Sequence, residues 1–170
     1  MGTVNFKSNR VEIKGWLPPV GSDAPDFVLT KTNLADVSLK DFAGNILVLN
    51  IFPSIDTPVC AASVRKFNVE AAKLDNCKVL CVSADLPFAH NRFCETEGIK
   101  NVIPASELRN RDFGDDYGVR ILEGPLAGLL ARSIVLIDGK GKVVYTQLVP
   151  EITHEPDYDE ALDFIKSLKT

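Results

Sequence analysis

The stretch "NILVLNIFPSIDTPVCAASVRKF", residues 45–67, decides how the chain folds. Its first eight residues form an almost unbroken apolar run of strand length, which reads as a fully buried central strand. After "PSIDTPVC" the period changes. Apolar or small residues at 60, 64, 67, 71 and 74 make one stripe, and Arg65, Lys66, Glu70 and Lys73 occupy the other faces. The spacing predicts a helix over 58–74. Thr57 is a good N-cap, and Pro58 is favoured at the first helical position. Cys60 then falls in the first turn, where unsatisfied N–H groups and the positive end of the helix dipole favour a thiolate. It also begins the apolar stripe, which turns it toward a pocket rather than open water. Position alone leaves two readings open, a small inert core residue or a nucleophile with restricted access.

Outward from this stretch, strand and helix patterns alternate. Toward the N-terminus, "TVNFK" and "RVEIK" alternate apolar and polar residues around "SN", the signal of a β-hairpin. "FVLT" followed by "DVSLKDFAG" suggests a further strand and turn. Toward the C-terminus, "KVLCVSA" (78–84) is a second buried strand. "LPFAHNRFCETEG" (86–98) has proline near its start and glycine at its end, the punctuation of a helix. "NVIPAS" is a short strand, "ARSIVLID" and "KVVYTQLV" form a hairpin about "GKG", and "EPDYDEALDFIKSL" is an amphipathic helix. This order fits an α/β protein with a mixed central sheet and helices on both faces, of which the thioredoxin-like fold is one case. With no repeat, low-complexity tract or linker, residues 1–170 are expected to form a single domain.

A net charge of −4, with no run of Lys or Arg longer than a pair, argues against nucleic acid or an anionic membrane as partner. No apolar run approaches membrane-spanning length, and the N-terminus lacks signal-peptide features. A soluble cytoplasmic protein is expected. The cysteines stand at 60, 77, 81 and 94, too few for a disulfide scaffold and without a CxxC pair. His90 and His154 lie far apart with no ligand partners at zinc-like spacing, so no metal is expected.

"PSIDTPVC" matches the Pro-x3-Thr-x2-Cys motif of peroxiredoxins, and "FPSIDTPVCAASVRKFN" resembles the bacterial thiol peroxidase branch, the atypical 2-Cys group. The resemblance extends to "GSDAPDFVLT", "ARSIVLID", "LVPEITHEPDYDEAL" and the N-terminal hairpin, hence over essentially the whole chain. It implies a thioredoxin-like fold, usually as a homodimer. It implies further that Cys60 is the peroxidatic cysteine, oxidised by a hydroperoxide to a sulfenic acid. Thr57 would hydrogen-bond the sulfur and the peroxide, Pro53 would shield the pocket from water, and Arg132 would be the active-site arginine. A guanidinium near the sulfur favours thiolate, and its fixed donors suit a peroxide oxygen.

Cys94 matches the resolving cysteine of that branch, which implies an intrachain Cys60–Cys94 disulfide reduced by a thioredoxin-type dithiol, with no metal, haem or flavin. By helical spacing Cys94 sits at the edge of the stripe Leu86, Ala89, Phe93 and is partly exposed. Cys77 and Cys81 share a strand face about 13 Å apart and read as structural. "LEGPLAGLLARS" (122–133) is apolar for a loop. It packs into the core or an interface, or it lines an apolar approach to Cys60 that favours alkyl or lipid hydroperoxides. The expected activity is a thiol-dependent peroxidase. The alternative is a redox sensor or chaperone-like binding module using the same disulfide as a switch, which would be oxidised stoichiometrically without turnover.

Overall fold

The computed structural model describes residues 2–168. Its first strands, β1 (Gly2–Phe6) and β2 (Asn9–Ile13), form a separate antiparallel pair. The alternation predicts them, but the turn falls at Lys7–Ser8 rather than at "SN", with Phe6 opposite Asn9. Both turn residues have positive φ, 50° and 67°, as this two-residue hairpin turn requires, yet neither is glycine. Their N–H groups both donate to the Glu151 carboxylate, at 3.2 and 2.7 Å. A left-handed non-glycine residue costs roughly 1–2 kcal/mol, and an anion seated on two successive N–H groups offsets that. The anion is 144 and 143 positions away, so no local pattern reveals it.

Strands β3 (Val28–Lys31), β4 (Asp36–Ser38), β5 (Ile46–Ile51), β6 (Cys77–Ser83), β7 (Ile103–Ser106), β8 (Ser133–Ile137) and β9 (Val143–Leu148) build one sheet in the order β4-β3-β7-β6-β5-β8-β9. It is mixed, as expected: β5 runs parallel to β6 and antiparallel to β8. Side chains of β5 alternate between two buried clusters. Leu47, Leu49 and Ile51 face the hairpin side, and Val48 faces the other with Phe52 beyond the strand. Both faces are covered, which is why this run carries no apolar–polar alternation. Each such side chain contributes about 1.5–3 kcal/mol by leaving water.

Helices α1 (Pro58–Ala71), α2 (Pro87–Glu97), α3 (Asp112–Asp116) and α4 (Tyr158–Ser167) complete the fold. Cys60, Val64 and Phe67 of α1 pack with Ala161, Leu162 and Ile165 of α4, and Ala89 and Phe93 of α2 lie against them. α1 ends three residues before the expected 74. The Lys73 and Leu74 N–H groups bond three residues back to Glu70 and Ala71, a tighter turn that still delivers Leu74 to the cluster. α2 stops as its punctuation predicts: Gly98 is left-handed (φ 67°, ψ 34°), and its N–H donates to the Cys94 carbonyl. α3 is too short for a periodic stripe, so the sequence pattern does not predict it. It is anchored by a distant acceptor, Glu107 Oε1, which takes the Gly114 N–H at 3.2 Å. Phe113 of α3 joins the hairpin-side cluster, so helices occupy both faces. Among the described residues no helix is long and apolar enough to cross a membrane.

Candidate active site

The turn between β5 and α1 is held by hydrogen bonds from two directions. From within, the Thr57 hydroxyl and N–H both donate to the Ser54 carbonyl, at 2.9 and 3.1 Å. Thr57 is the N-cap residue by position, but its side chain makes no capping bond. The expected cap is therefore not made; the hydroxyl instead donates into the turn. From outside, Asp85, just beyond β6, accepts the Ser54 hydroxyl at 2.8 Å and the Ile55 N–H at 2.7 Å. Cys60 follows with no exposed surface, packed among Phe52, Ile55 and Val64. Its carbonyl accepts the Ser63 hydroxyl (2.7 Å), which accepts in turn from Asn50 Nδ2 (3.1 Å). Asn50 thus turns the one polar side chain of β5 into a buried brace behind the first turn of α1.

Arg132 immediately precedes β8 and is 2% exposed. Its Nε donates to the Ile152 carbonyl at 2.9 Å, while Nη1 has no hydrogen-bond partner among the described residues. The segment supplying that carbonyl is tied to the hairpin, since Asn5 donates to Pro150 and accepts from Ile152. A cavity of about 380 Å³ is lined by Pro53, Thr57 and Arg132, with Leu126, Leu129 and Ile152 as its apolar wall. The structure thus brings together three of the five residues singled out from sequence. Cys60 does not itself line this cavity, but it belongs to the same neighbourhood. The Tyr158 phenol is pushed up first by burial and then by Glu155; the Arg132 charge opposes this and Cys60 adds to it. Residues 122–133 divide between two places: Leu130 and Ala131 are core, while Leu126 and Leu129 line the cavity.

Cys94 stands apart. Like Cys60 it is an unpaired thiol, half-buried, but it opens on a different hollow of about 350 Å³, beside Asn91, Ile99 and Pro104. Burial pushes its thiol up to about 11. Cys77 and Cys81 lie on one face of β6, in the cluster behind α1. Cys81 is pushed up to about 12, chiefly by burial, which makes it a poor nucleophile.

A model of the redoxin family matches residues 19–162. The chain belongs to the redoxin family. This redoxin is 58% identical to a thiol peroxidase of Corynebacterium glutamicum over 163 residues, covering 95% of this chain and 98% of that protein. To a thiol peroxidase of Mycobacterium bovis it is 54% identical over 162 residues, 95% and 97% of the two chains. The crystal structure of a peroxiredoxin-like protein from Aquifex aeolicus matches it with a TM-score of 0.93 at 46% identity, over 98% and 96% of the chains. At such identity over nearly the whole length, this redoxin is a thiol-dependent peroxidase of the peroxiredoxin type.

Several polar residues that organise the site are not singled out by the sequence analysis. Asn50, Ser63 and Ser83 sit inside apolar patterns, and an unexplained polar residue there is the signal that would have found them. His90, on α2, is 1% exposed; its Nε2 lies 3.0 Å from the Ser83 hydroxyl, and Nδ1 has no partner among the described residues. Burial lowers its pKa, against the pull of Asp85 and Asp56. Between the ordinary value near 6.5 and the lower native one, the unfolded chain takes up a proton that the folded redoxin does not. Stability is therefore full above about pH 6.5 and falls as pH drops through that window. Urea unfolding at pH 7.5 and 5.5 should show a larger acid loss for the wild type than for His90→Gln; equal losses would place the acid sensitivity elsewhere.

Proposed function

We propose that Cys60 is the peroxidatic cysteine and Cys94 its resolving partner, within one thioredoxin-like domain spanning the chain. The observation that carries this reading is Arg132, a buried guanidinium with a free Nη1 donor on the same cavity as Thr57 and Pro53. A buried cation favours an anion beside it, and its free N–H suits an oxygen on which charge develops. The first turn of α1 acts on Cys60 in the same sense. The Cys60 thiolate attacks the terminal oxygen of a hydroperoxide, forming an S–O bond as the O–O bond breaks. The departing alkoxide or hydroxide takes a proton and leaves as alcohol or water. With its own proton on the Ser54 carbonyl, Thr57 Oγ1 accepts the hydroperoxide O–H and orients it, and Pro53 limits water. The sulfenic acid then condenses with the Cys94 thiol, releasing water, and a thioredoxin-type dithiol reduces the disulfide. The wall of Leu126, Leu129 and Ile152 favours alkyl or lipid hydroperoxides over hydrogen peroxide. The cytoplasmic homodimer in this reading rests on the family resemblance alone.

Cys60 is fully buried and Cys94 faces another hollow, so the disulfide, whose Cα atoms must come within about 7 Å, calls for local unwinding of α1 or α2. The test is mass spectrometry after one equivalent of hydroperoxide. Wild type should yield one linked Cys60–Cys94 peptide, and Cys94→Ser should stop at the sulfenic acid or pass to higher oxides. Normal dithiol-coupled turnover by Cys94→Ser would remove Cys94 from the mechanism.

Thr57→Val keeps the side-chain shape and deletes the hydroxyl. The rate of Cys60 oxidation should fall about 10²-fold, as for loss of one preorganised hydrogen-bonding group. Stability should change by only about 1 kcal/mol, the worth of one turn hydrogen bond. Stopped-flow kinetics with unchanged oxidation would take Thr57 out of the reaction.

A further inference from the structure

We propose that Asp85 is a positioning residue for this peroxidase, holding Thr57 in register through Ser54 and coupling release of the peroxidatic turn to release of α2. The proposal rests on the reading above, on the roles of Cys60 and Thr57 for its first half and on the Cys60–Cys94 disulfide for its second.

One carboxylate gathers three donors, two from the turn before α1 and one from the end of β6. Asp85 Oδ1 accepts the Ser54 hydroxyl at 2.8 Å. Its Oδ2 accepts the Ile55 N–H at 2.7 Å and the Ser83 hydroxyl at 2.5 Å. Ser54 passes the constraint on, because its carbonyl accepts both the hydroxyl and the N–H of Thr57. The path from Asp85 to the peroxide-facing oxygen of Thr57 therefore crosses a single residue.

In the other direction, Ser83 has spent its only proton on Asp85. Its oxygen already accepts the Asp85 N–H at 3.2 Å, so the contact with His90 Nε2 at 3.0 Å is one in which histidine donates. His90 Nδ1 has no partner among the described residues, and the ring meets Phe52 edge-on with centroids 6.3 Å apart. The chain His90 to Ser83 to Asp85 runs from α2, which carries Cys94, to the turn before Cys60. Charge-assisted bonds in such partly buried surroundings are worth more than neutral ones in water. A second tie between the same elements, the Arg92–Asp56 ion pair at 2.6 Å, has both side chains over 60% exposed and contributes little.

Two consequences follow for the two chemical steps. While the cluster is closed, Thr57 faces the cavity correctly and Cys60 stays enclosed, which favours peroxide attack and delays resolution. Once it opens, the turn and α2 are freed together, which favours disulfide formation. A weakened cluster should therefore slow the first step and speed the second.

Asp85→Asn, followed by rapid-quench mass spectrometry, reads the two steps as sulfenic acid appearance and disulfide appearance. Expected are an oxidation rate constant lower by on the order of tenfold or more, since small misplacements are costly, and a higher rate constant for resolution. Ser83→Ala leaves Ser54 and Ile55 bound to Asp85 but removes its third donor together with the link to His90; it should raise the resolution rate constant, with a smaller loss of oxidation than in Asp85→Asn. Both constants falling together in Asp85→Asn, or neither moving, would make Asp85 a merely structural residue and overturn the proposal. If Asp85→Asn does not fold, Ser83→Ala decides, and unchanged resolution there overturns it. A wild type that forms no Cys60–Cys94 disulfide defeats the proposed function instead, and the oxidation rate constant of Asp85→Asn still tests the positioning of Thr57.

Discussion

Cys60→Ser is expected to abolish dithiol-coupled peroxidase turnover while the protein stays folded. Serine is nearly isosteric with cysteine, so the cluster of Phe52, Ile55, Val64 and Phe67 around position 60 keeps its packing. The new hydroxyl can find a backbone carbonyl one helical turn back, as buried serines near helix starts do. The stability cost should stay within about 1–2 kcal/mol. Chemistry fares differently. A hydroxyl is not ionised near neutrality and is a far weaker nucleophile toward peroxide oxygen than a thiolate, so no preorganised donor has an attack to assist. The other sulfurs cannot substitute: Cys77 and Cys81 are buried on β6, the Cys81 thiol pushed up to about 12 chiefly by burial, and Cys94 opens on a different hollow from Arg132 and Thr57. Peroxide consumption in the presence of a thioredoxin-type reductant should drop to the uncatalysed level, with far-ultraviolet circular dichroism unchanged. Turnover that survives would locate the peroxidatic sulfur elsewhere.

Arg120→Ala is expected to be strongly destabilising on the hairpin side of the sheet. Arg120 and Glu107 form a bidentate pair, Nη1 to Oε2 at 2.6 Å and Nη2 to Oε1 at 2.7 Å, and Glu107 has no exposed surface. Arg120 also donates to the Gly128 carbonyl at 2.8 Å and to the Arg111 carbonyl. Truncation leaves the Glu107 carboxylate buried with the Gly114 N–H at 3.2 Å and the solvent-exposed Arg111 at 4.0 Å as its neighbours. Removing one partner of a buried pair costs about 3–5 kcal/mol. For a chain of this size that lowers the melting temperature by on the order of 10 °C. The loss should be partly regained in Glu107→Leu/Arg120→Met, which removes the stranded charge along with its partner. A single variant within about 1 kcal/mol of wild type by urea unfolding would show that water reaches Glu107. Gly128 lies between Leu126 and Leu129 of the cavity wall, so the same variant should also loosen the substrate side.

Features written in short-range pattern are legible in the amino-acid sequence alone. The apolar run at 45–52, the change of period after Pro58, and Gly98 closing α2 each follow from neighbours within one or two turns. So does Cys60 at a helix start, where the backbone supplies the electrostatics whatever the tertiary context. The motif around it carries the family and the activity. Features made by pairs distant in sequence are not legible there. The hairpin turn settles on Lys7–Ser8 because Glu151 arrives from the far end of the chain. The Thr57 hydroxyl donates into the turn and makes no cap, and Asp85 fixes that turn from 30 positions away. Local pattern makes Arg132 any arginine at a strand start and only the family resemblance singles it out; folding takes it out of water and leaves one of its donors without a partner among the described residues. Local sequence determines which segments become strands and helices, because those choices depend on periodicity and on the backbone's own termini. Which polar groups meet, and which are buried with a free donor, depends on long-range packing that brings distant segments to one cavity, and only the tertiary structure decides it.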